Sequence, residues 1–492
     1  MEARYSGILL HPTSLPGKYG IGSLGEDARH FVEWMADSGQ KIWQILPLGP
    51  TDRSHSPYQC YSAFAGTPDL IDLDDLIESG LLKQEELTSK ITFPTKKIDF
   101  SLVRKYREPL LLKAFIRFCE SDGFATEGYQ NFWTENFWWL DSWSLFYACR
   151  KNLAGKDWSH WETNLVNQED KALNLHFNTY REDIEYQRFL QFIFLRQWFR
   201  LKKYANDKGI KIFGDIPLYV AYDSADVWAN QDIFLLDRKR KPTLVGGVPP
   251  DYFSKTGQLW GNPLFDWEKL QQRNFDWWIA RIHYNLRMFD LVRIDHFRGL
   301  ESFWAVPYGE KTAVNGQWLK AQGDAMMRIL QSQLGHLQII AEDLGTITDE
   351  VHDLRKKYFL PGMKVLQFAF ENDATNEHLP HNYHKDFVVY TGTHDNDTTL
   401  GWLKSLKGKE RTNLNHYMGG GNVDHWKMVR LALSSVAQIS IIPIQDLLGL
   451  DSSARMNTPG TTKGNWQWRI SPSVSLESAG QKLCELTLIY GR

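Results

Sequence analysis

The chain has 492 residues, 56 basic and 59 acidic, for a net charge of −3. That balance gives no electrostatic reason to expect nucleic acid or an anionic membrane surface as a partner, and no apolar run reaches the roughly 18 residues of a membrane span. The four cysteines, Cys60, Cys119, Cys149 and Cys484, lie far apart and form no CxxC pair, which favours a reduced, cytosol-like compartment over a disulfide framework.

Short apolar runs ending in polar or glycine-rich turns recur along the chain. The first is Ile8 to His11, followed by an amphipathic stretch from Glu26 to Ser38 with Phe31, Trp34 and Met35 on one helical face. The second is Ile42 to Pro47. Then comes a long aromatic segment of helical character, 52–210, which holds Asn131 to Trp139 and Tyr186 to Lys203. It reads as an inserted, mostly helical subdomain over the barrel mouth. Lys211 to Pro217 is the third run. A second insertion, 222–275, carries the Pro/Gly-rich loop Val245 to Gly257; a long loop in a compact domain is usually functional.

The remaining runs are Leu291 to Asp295, Leu337 to Glu342, Lys364 to Phe370, Phe387 to Thr391 and Ile439 to Ile444, with a helical period predicted over Gln317 to Gln333. Strands alternating with helices imply a parallel sheet. Eight of them fit a closed (β/α)8 barrel, a single catalytic unit spanning 1–492. No GxGxxG opens a helix after the first strand, which argues against a dinucleotide fold.

Three of these runs end in acidic clusters: Arg293-Ile-Asp295-His296, Glu342-Asp343 and Thr393-His394-Asp395. An unpaired carboxylate is costly inside a protein, so three at strand ends point to one shared pocket at the C-terminal mouth of the barrel. Arg293 and Asp295, at i and i+2, share the inward face, and the guanidinium is expected to keep Asp295 ionised. An ionised carboxylate can attack an anomeric carbon or stabilise an oxocarbenium ion; the same pair could also be structural. Glu342, with an apolar run behind it, suits a general acid of raised pKa. Asp343 faces the other way and is expected to pair with a neighbour or cap a helix. His394 could donate to an oxygen or simply pack, and Asp395 could hold a pair of hydroxyls.

A metal site built from Asp295, His296, Glu342, His394 and Asp395 is the chemical rival. No HxH or HxxxH pair accompanies these residues, and Arg293 would repel a cation. Aromatics make up 14 % of the chain, with 20 tryptophans. They serve core packing or, in the sharper reading, platforms for a sugar.

At these residues the chain closely resembles the amylomaltase family, the 4-α-glucanotransferases or disproportionating enzymes of the α-amylase clan. The likeness also rests on His11-Pro-Thr-Ser-Leu-Pro16, Trp43 to Leu48, Ser56-Pro-Tyr-Gln59, Ser62 to Gly66, Gly214-Asp-Ile-Pro217, Val248 to Phe253, Gly257 to Pro263, Arg455 to Gly460 and Asn465 to Arg469. The resemblance implies a barrel with inserted subdomains, no separate C-terminal β-domain, and no cofactor or metal. It implies Asp295 as nucleophile, Glu342 as acid/base and Asp395 as the third carboxylate. Tyr58, Asp215, Arg293 and His394 then line the donor sugar. Tyr252 and Phe253 then lie on the loop that folds over the acceptor side, with Gln258 and Trp260 nearby, and Asn465 joins the substrate-binding set.

The implied partners are maltooligosaccharides, amylose or related α-1,4-glucans, with glucose as acceptor. The implied setting is cytoplasmic, or a plastid stroma if a transit peptide has been removed. One stretch departs from the family: Asp52-Arg-Ser-His55 stands where many members carry a Gly-Tyr-Gly type sequence, so a remote second glucan site is not expected. A retaining α-glucan hydrolase using the same residues and a non-catalytic glucan-binding protein remain as alternatives.

Overall fold

The computed structural model describes residues 4–88, 91–250 and 254–492. Eight parallel strands carry the architecture: β1 Tyr5–Leu9, β2 Ile42–Gln44, β3 Lys211–Ile216, β4 Leu291–Ile294, β5 Ile339–Ala341, β6 Gly362–Val365, β7 Phe387–Tyr390 and β8 Ile439–Pro443. They neighbour one another in the order β6-β7-β8-β1-β2-β3-β4-β5. The ring closes where the Ala341 N–H donates to the Pro361 carbonyl at 2.8 Å. The (β/α)8 barrel expected from eight strand runs is therefore present, with β1 and β6 beginning earlier than their apolar runs suggest. Lys364 to Phe370 does not stay extended, because after Val365 the chain turns into a 3-10 helix over Leu366–Phe368.

The strands are strands because their side chains are buried on both faces. Every residue of β4 (LVRI) and of β7 (FVVY) is buried, as expected where helices cover a parallel sheet. The helix Glu26–Asp37 buries Ala28, Phe31, Val32 and Met35, spaced at i, i+3, i+4 and i+7 to make one apolar stripe. Most tryptophans are core: Trp43, Trp143, Trp158, Trp198, Trp228 and Trp278 are among the largest fully buried side chains.

Between β2 and β3 lie three long helices, Phe100–Glu120, Glu127–Asn152 and Arg181–Asp207. The last of these ends on the barrel wall, where the Trp198 indole donates to the Met288 carbonyl at 3.1 Å and the Tyr204 hydroxyl to Glu33 at 2.6 Å. A four-stranded antiparallel sheet rises beside the mouth from Leu244–Val248, Gln258–Pro263, Ser302–Pro307 and Gln317–Lys320. It corrects one expectation. Gln317 to Lys320 is not the first turn of a helix, because it pairs with Ser302–Pro307, Trp304 lying opposite Trp318; the helix occupies Gly323–Leu334.

The junction of β5 and β6 is held by buried charge. One oxygen of Asp343 accepts the Met363 N–H at 2.7 Å, and the other lies 3.2 Å from Arg355 Nε. Removing one member of a buried pair strands the other. Arg355→Met is expected to lower the unfolding free energy by about 3–5 kcal/mol, read as a reduced urea midpoint at unchanged slope.

Candidate active site

The register of the barrel places the acidic clusters. Asp215 lies beside Arg293, and Arg293 beside Ile340. Two residues further on, Asp295 and Glu342 emerge next to each other at the mouth. Both remain in the ladder: Asp295 N–H donates to Ile216 O at 2.9 Å, and Glu342 N–H to Ile294 O at 3.1 Å. Each carboxylate is thus fixed by strand backbone rather than by a free loop.

Arg293 lies between two carboxylates. Its guanidinium meets Asp215 Oδ2 at 2.5 Å and Asp295 Oδ1 at 2.5 Å. The Tyr58 hydroxyl donates to Asp215 at 2.6 Å and lies 3.3 Å from Arg293 Nη1. Burial opposes the charge on Arg293, but Asp215 and Asp295 outweigh it and hold its pKa well above the ordinary value. Asp295 keeps 29 % of its side chain open to the cleft. Burial nonetheless pushes its pKa well above the usual carboxylate range, with Arg293 pulling down and the neighbouring Asp215 and Glu342 pushing up. The expected effect of Arg293 is present but meets a larger opposing one. Burial likewise raises Glu342, against Arg293 and two main-chain N–H groups that favour its ionised form. Those donors are His296 at 2.7 Å and Leu344 at 2.9 Å. Coupled acids of this kind titrate as a unit.

Asp395 Oδ1 accepts from Asn457 Nδ2 at 2.6 Å and lies 3.4 Å from His394 Nε2. The Asp395 carbonyl accepts from Arg455 at 2.6 Å. Burial lowers the pKa of His394, against the opposing pull of Asp395. Its ring stacks on Tyr58 with centroids 5.1 Å apart and planes at 17°, and Trp466 packs against both rings. Tyr58, Asp215, Arg293, Asp295, His394 and Asp395 therefore form one contiguous wall.

The residues expected on the acceptor side and in the remaining substrate-binding set are spread more widely. Trp260 meets the His296 ring edge-on at 4.8 Å, and its indole N–H lies 3.2 Å from Gln258 Oε1. Tyr252 and Phe253 lie outside the described residues. Asn465 spends its amide within its own loop, on the Thr458 N–H at 3.0 Å and the Thr461 carbonyl at 3.0 Å. The residue of this region that reaches a carboxylate is Asn457, which sequence reasoning did not single out although it sits in the Arg455 to Gly460 motif. Asp343 pairs with neighbours, as its alternate strand face indicates. In the departing stretch, His55 stacks on Phe100 with centroids 4.3 Å apart.

Carboxylates gathered around one buried guanidinium, at the C-terminal mouth of a parallel barrel, are an arrangement suited to glycosidic-bond chemistry. A profile of the 4-alpha-glucanotransferase family matches residues 10–475. A 4-alpha-glucanotransferase of Synechocystis sp. is 47 % identical over 498 residues, covering 100 % of this chain and 99 % of its own. One from Thermus thermophilus is 45 % identical, covering 98 % and 97 %. The structure of the amylomaltase from Streptococcus agalactiae in complex with acarbose superposes with a TM-score of 0.95 at 37 % identity, covering 99 % of each chain. The chain belongs to the 4-α-glucanotransferase family.

The site makes a charge-dependent expectation. Arg293 lowers the pKa of both Asp295 and Glu342, so weakening its contact lets both rise. In Arg293→Lys an ammonium cannot span two carboxylates as the planar fork does. Both limbs of the pH profile of kcat/KM are expected to move to higher pH, and kcat to fall ~100-fold with KM changed far less. An unmoved profile assigns Arg293 to structure alone.

Proposed function

We propose that 4-α-glucanotransfer here proceeds by retaining double displacement, with Asp295 as nucleophile, Glu342 as acid/base and Asp395 as the carboxylate that holds donor hydroxyls. The observation that carries this reading is the unequal support given to two neighbouring acids. Asp295 meets a guanidinium at 2.5 Å, whereas the hydrogen bonds to the Glu342 carboxyl among the described residues come from neutral main-chain donors. A charge-assisted bond stabilises an anion more than a neutral one does. That contrast of contacts assigns the proton to Glu342, although burial also raises Asp295 well above the usual carboxylate range.

Glu342 then protonates the leaving glucan oxygen while Asp295 attacks the anomeric carbon, giving a β-linked glucosyl-enzyme. An incoming sugar hydroxyl loses its proton to Glu342 and takes the glucosyl group, restoring the α-linkage. Tyr58, Asp215, Arg293 and His394 serve the donor sugar. Trp260 and Gln258, with Tyr252, Phe253 and Asn465 from the family resemblance, serve the acceptor side.

The donors are α-1,4-glucans such as maltooligosaccharides or amylose, and glucose or another glucan is the acceptor. The two segments 52–210 and 222–275 act as insertions that shape this mouth. A support for that reading is that Tyr58 comes from the first and Trp260 from the second. Among the described residues no helix is long and apolar enough to cross a membrane, and the cysteines are free. Relatives from rice and potato carry the names chloroplastic/amyloplastic. A reduced compartment, cytoplasmic or plastid, fits this chemistry.

Incubation with maltotriose tests the reading. Transfer yields glucose together with a ladder of longer and shorter glucans. Hydrolysis yields only shorter sugars, and a binding protein leaves maltotriose unchanged. Glu342→Gln is expected to lower the rate of ladder formation at least ~100-fold with the fold retained; a ladder formed at the original rate removes Glu342 from its role.

A further inference from the structure

The acid Glu342 is gripped by two segments that are remote in sequence. Its Oε2 accepts the His296 N–H at 2.7 Å, from the turn after β4, and its Oε1 accepts the Leu344 N–H at 2.9 Å, from the turn after β5. The same turn after β4 also donates the Phe297 N–H to the Glu342 carbonyl at 3.1 Å. His296 adopts left-handed backbone, φ 52° and ψ 47°, a conformation that a non-glycine residue holds only when its surroundings impose it. Something must therefore fix this turn against the turn that carries Leu344.

Arg298 joins them. It lies two residues beyond His296 and is 4 % exposed. Its Nη1 donates to the carbonyl of Thr346, two residues beyond Leu344. Its Nη2 donates to Ser302 Oγ at 3.1 Å, at the start of the antiparallel sheet. The guanidinium lies 3.8 Å from the ring centroid of Trp318, on that same sheet. A cation so placed over an indole gains attraction and loses rotational freedom.

We propose that Arg298, backed by Trp318, is a positioning residue for the acid/base. By bridging the turn of His296 to the turn of Leu344, it holds the two main-chain donors that aim the Glu342 carboxyl at the leaving oxygen. Arg298 acts through Glu342, and the proposal rests on the reading of Glu342 given above. It gives the small sheet beside the mouth a part in catalysis distinct from sugar contact: Trp318 fixes Arg298, and Arg298 fixes the geometry of proton transfer.

The test compares two donors that differ in their need for an acid. Maltotriose requires a protonated leaving oxygen, whereas α-maltosyl fluoride expels fluoride without one. The kcat/KM for fluoride release reports only steps up to formation of the glycosyl-enzyme. For Arg298→Lys, which keeps the charge but cannot hold Thr346 and Ser302 at once as the planar fork does, kcat/KM is expected to fall ~100-fold on maltotriose and at most ~3-fold on the fluoride. The ratio of the two constants does not depend on how much enzyme is folded. Trp318→Leu should shift it in the same direction by roughly 5-fold. Equal losses on both donors, or no loss on either, overturn the positioning role. Glu342→Gln serves as the reference. If it shows no donor-dependent loss, the assignment of the acid itself fails; if it does and Arg298→Lys does not, only the role of Arg298 fails.

Discussion

One buried guanidinium organises this molecule's chemistry. Arg293 reaches Asp215 and Asp295 at once, each at 2.5 Å, while Glu342 stands beside Asp295 at the end of the next strand. A single cation cannot neutralise three carboxylates in a low-dielectric mouth. On the reading proposed above, Asp295 is the nucleophile and Glu342 the proton donor. Burial raises both Asp295 and Glu342. The difference between them comes from what each touches: a guanidinium for Asp295 and two backbone amides for Glu342.

The fold supplies that arrangement through register. Because Asp215, Arg293 and Ile340 lie at one level across β3, β4 and β5, a period-two step along β4 and β5 brings Asp295 and Glu342 out together. Longer segments complete the wall. Tyr58 comes from the stretch after β2, Trp260 from the antiparallel sheet, and Asn457 and Trp466 from the chain that returns after β8. The Trp466 N–H donates to Met456 O at 2.8 Å, which folds this return back on itself and sets Asn457 against Asp395. Tyr58, His394 and Trp466 then make an aromatic flank beside the carboxylates.

Much of this was legible in the sequence, for a physical reason. Parallel strands bury both faces, so a strand end bearing a carboxylate stands out against an apolar run, and the clusters at Asp295, Glu342 and Asp395 are visible without coordinates. Parity along β4 also assigns Arg293 and Asp295 to one face. What sequence reasoning could not supply were contacts between segments with no local pattern. Asn457 reaches Asp395 across 62 positions, and Arg298 reaches Thr346 across 48; neither spacing has a period. Gln317 to Lys320 carries a helical period in the sequence yet forms a strand, because its strand character comes from the partner Ser302–Pro307 rather than from its own residues. The opposing pulls on Asp295 were half visible: the attraction of Arg293 is local, but the burial that counters it belongs to the whole mouth.

The account stands on the covalent role of Asp295. Its most direct measurement is the trapping of the intermediate. Glu342→Gln, which lacks the base for the second step, is mixed with α-maltosyl fluoride, quenched, digested and read by mass spectrometry. The account expects a maltosyl ester on the peptide that contains Arg293 to Phe297, with the modification at Asp295. A maltosyl ester on Asp215 or Asp395, or turnover of the fluoride with no adduct accumulating on any carboxylate, would contradict it.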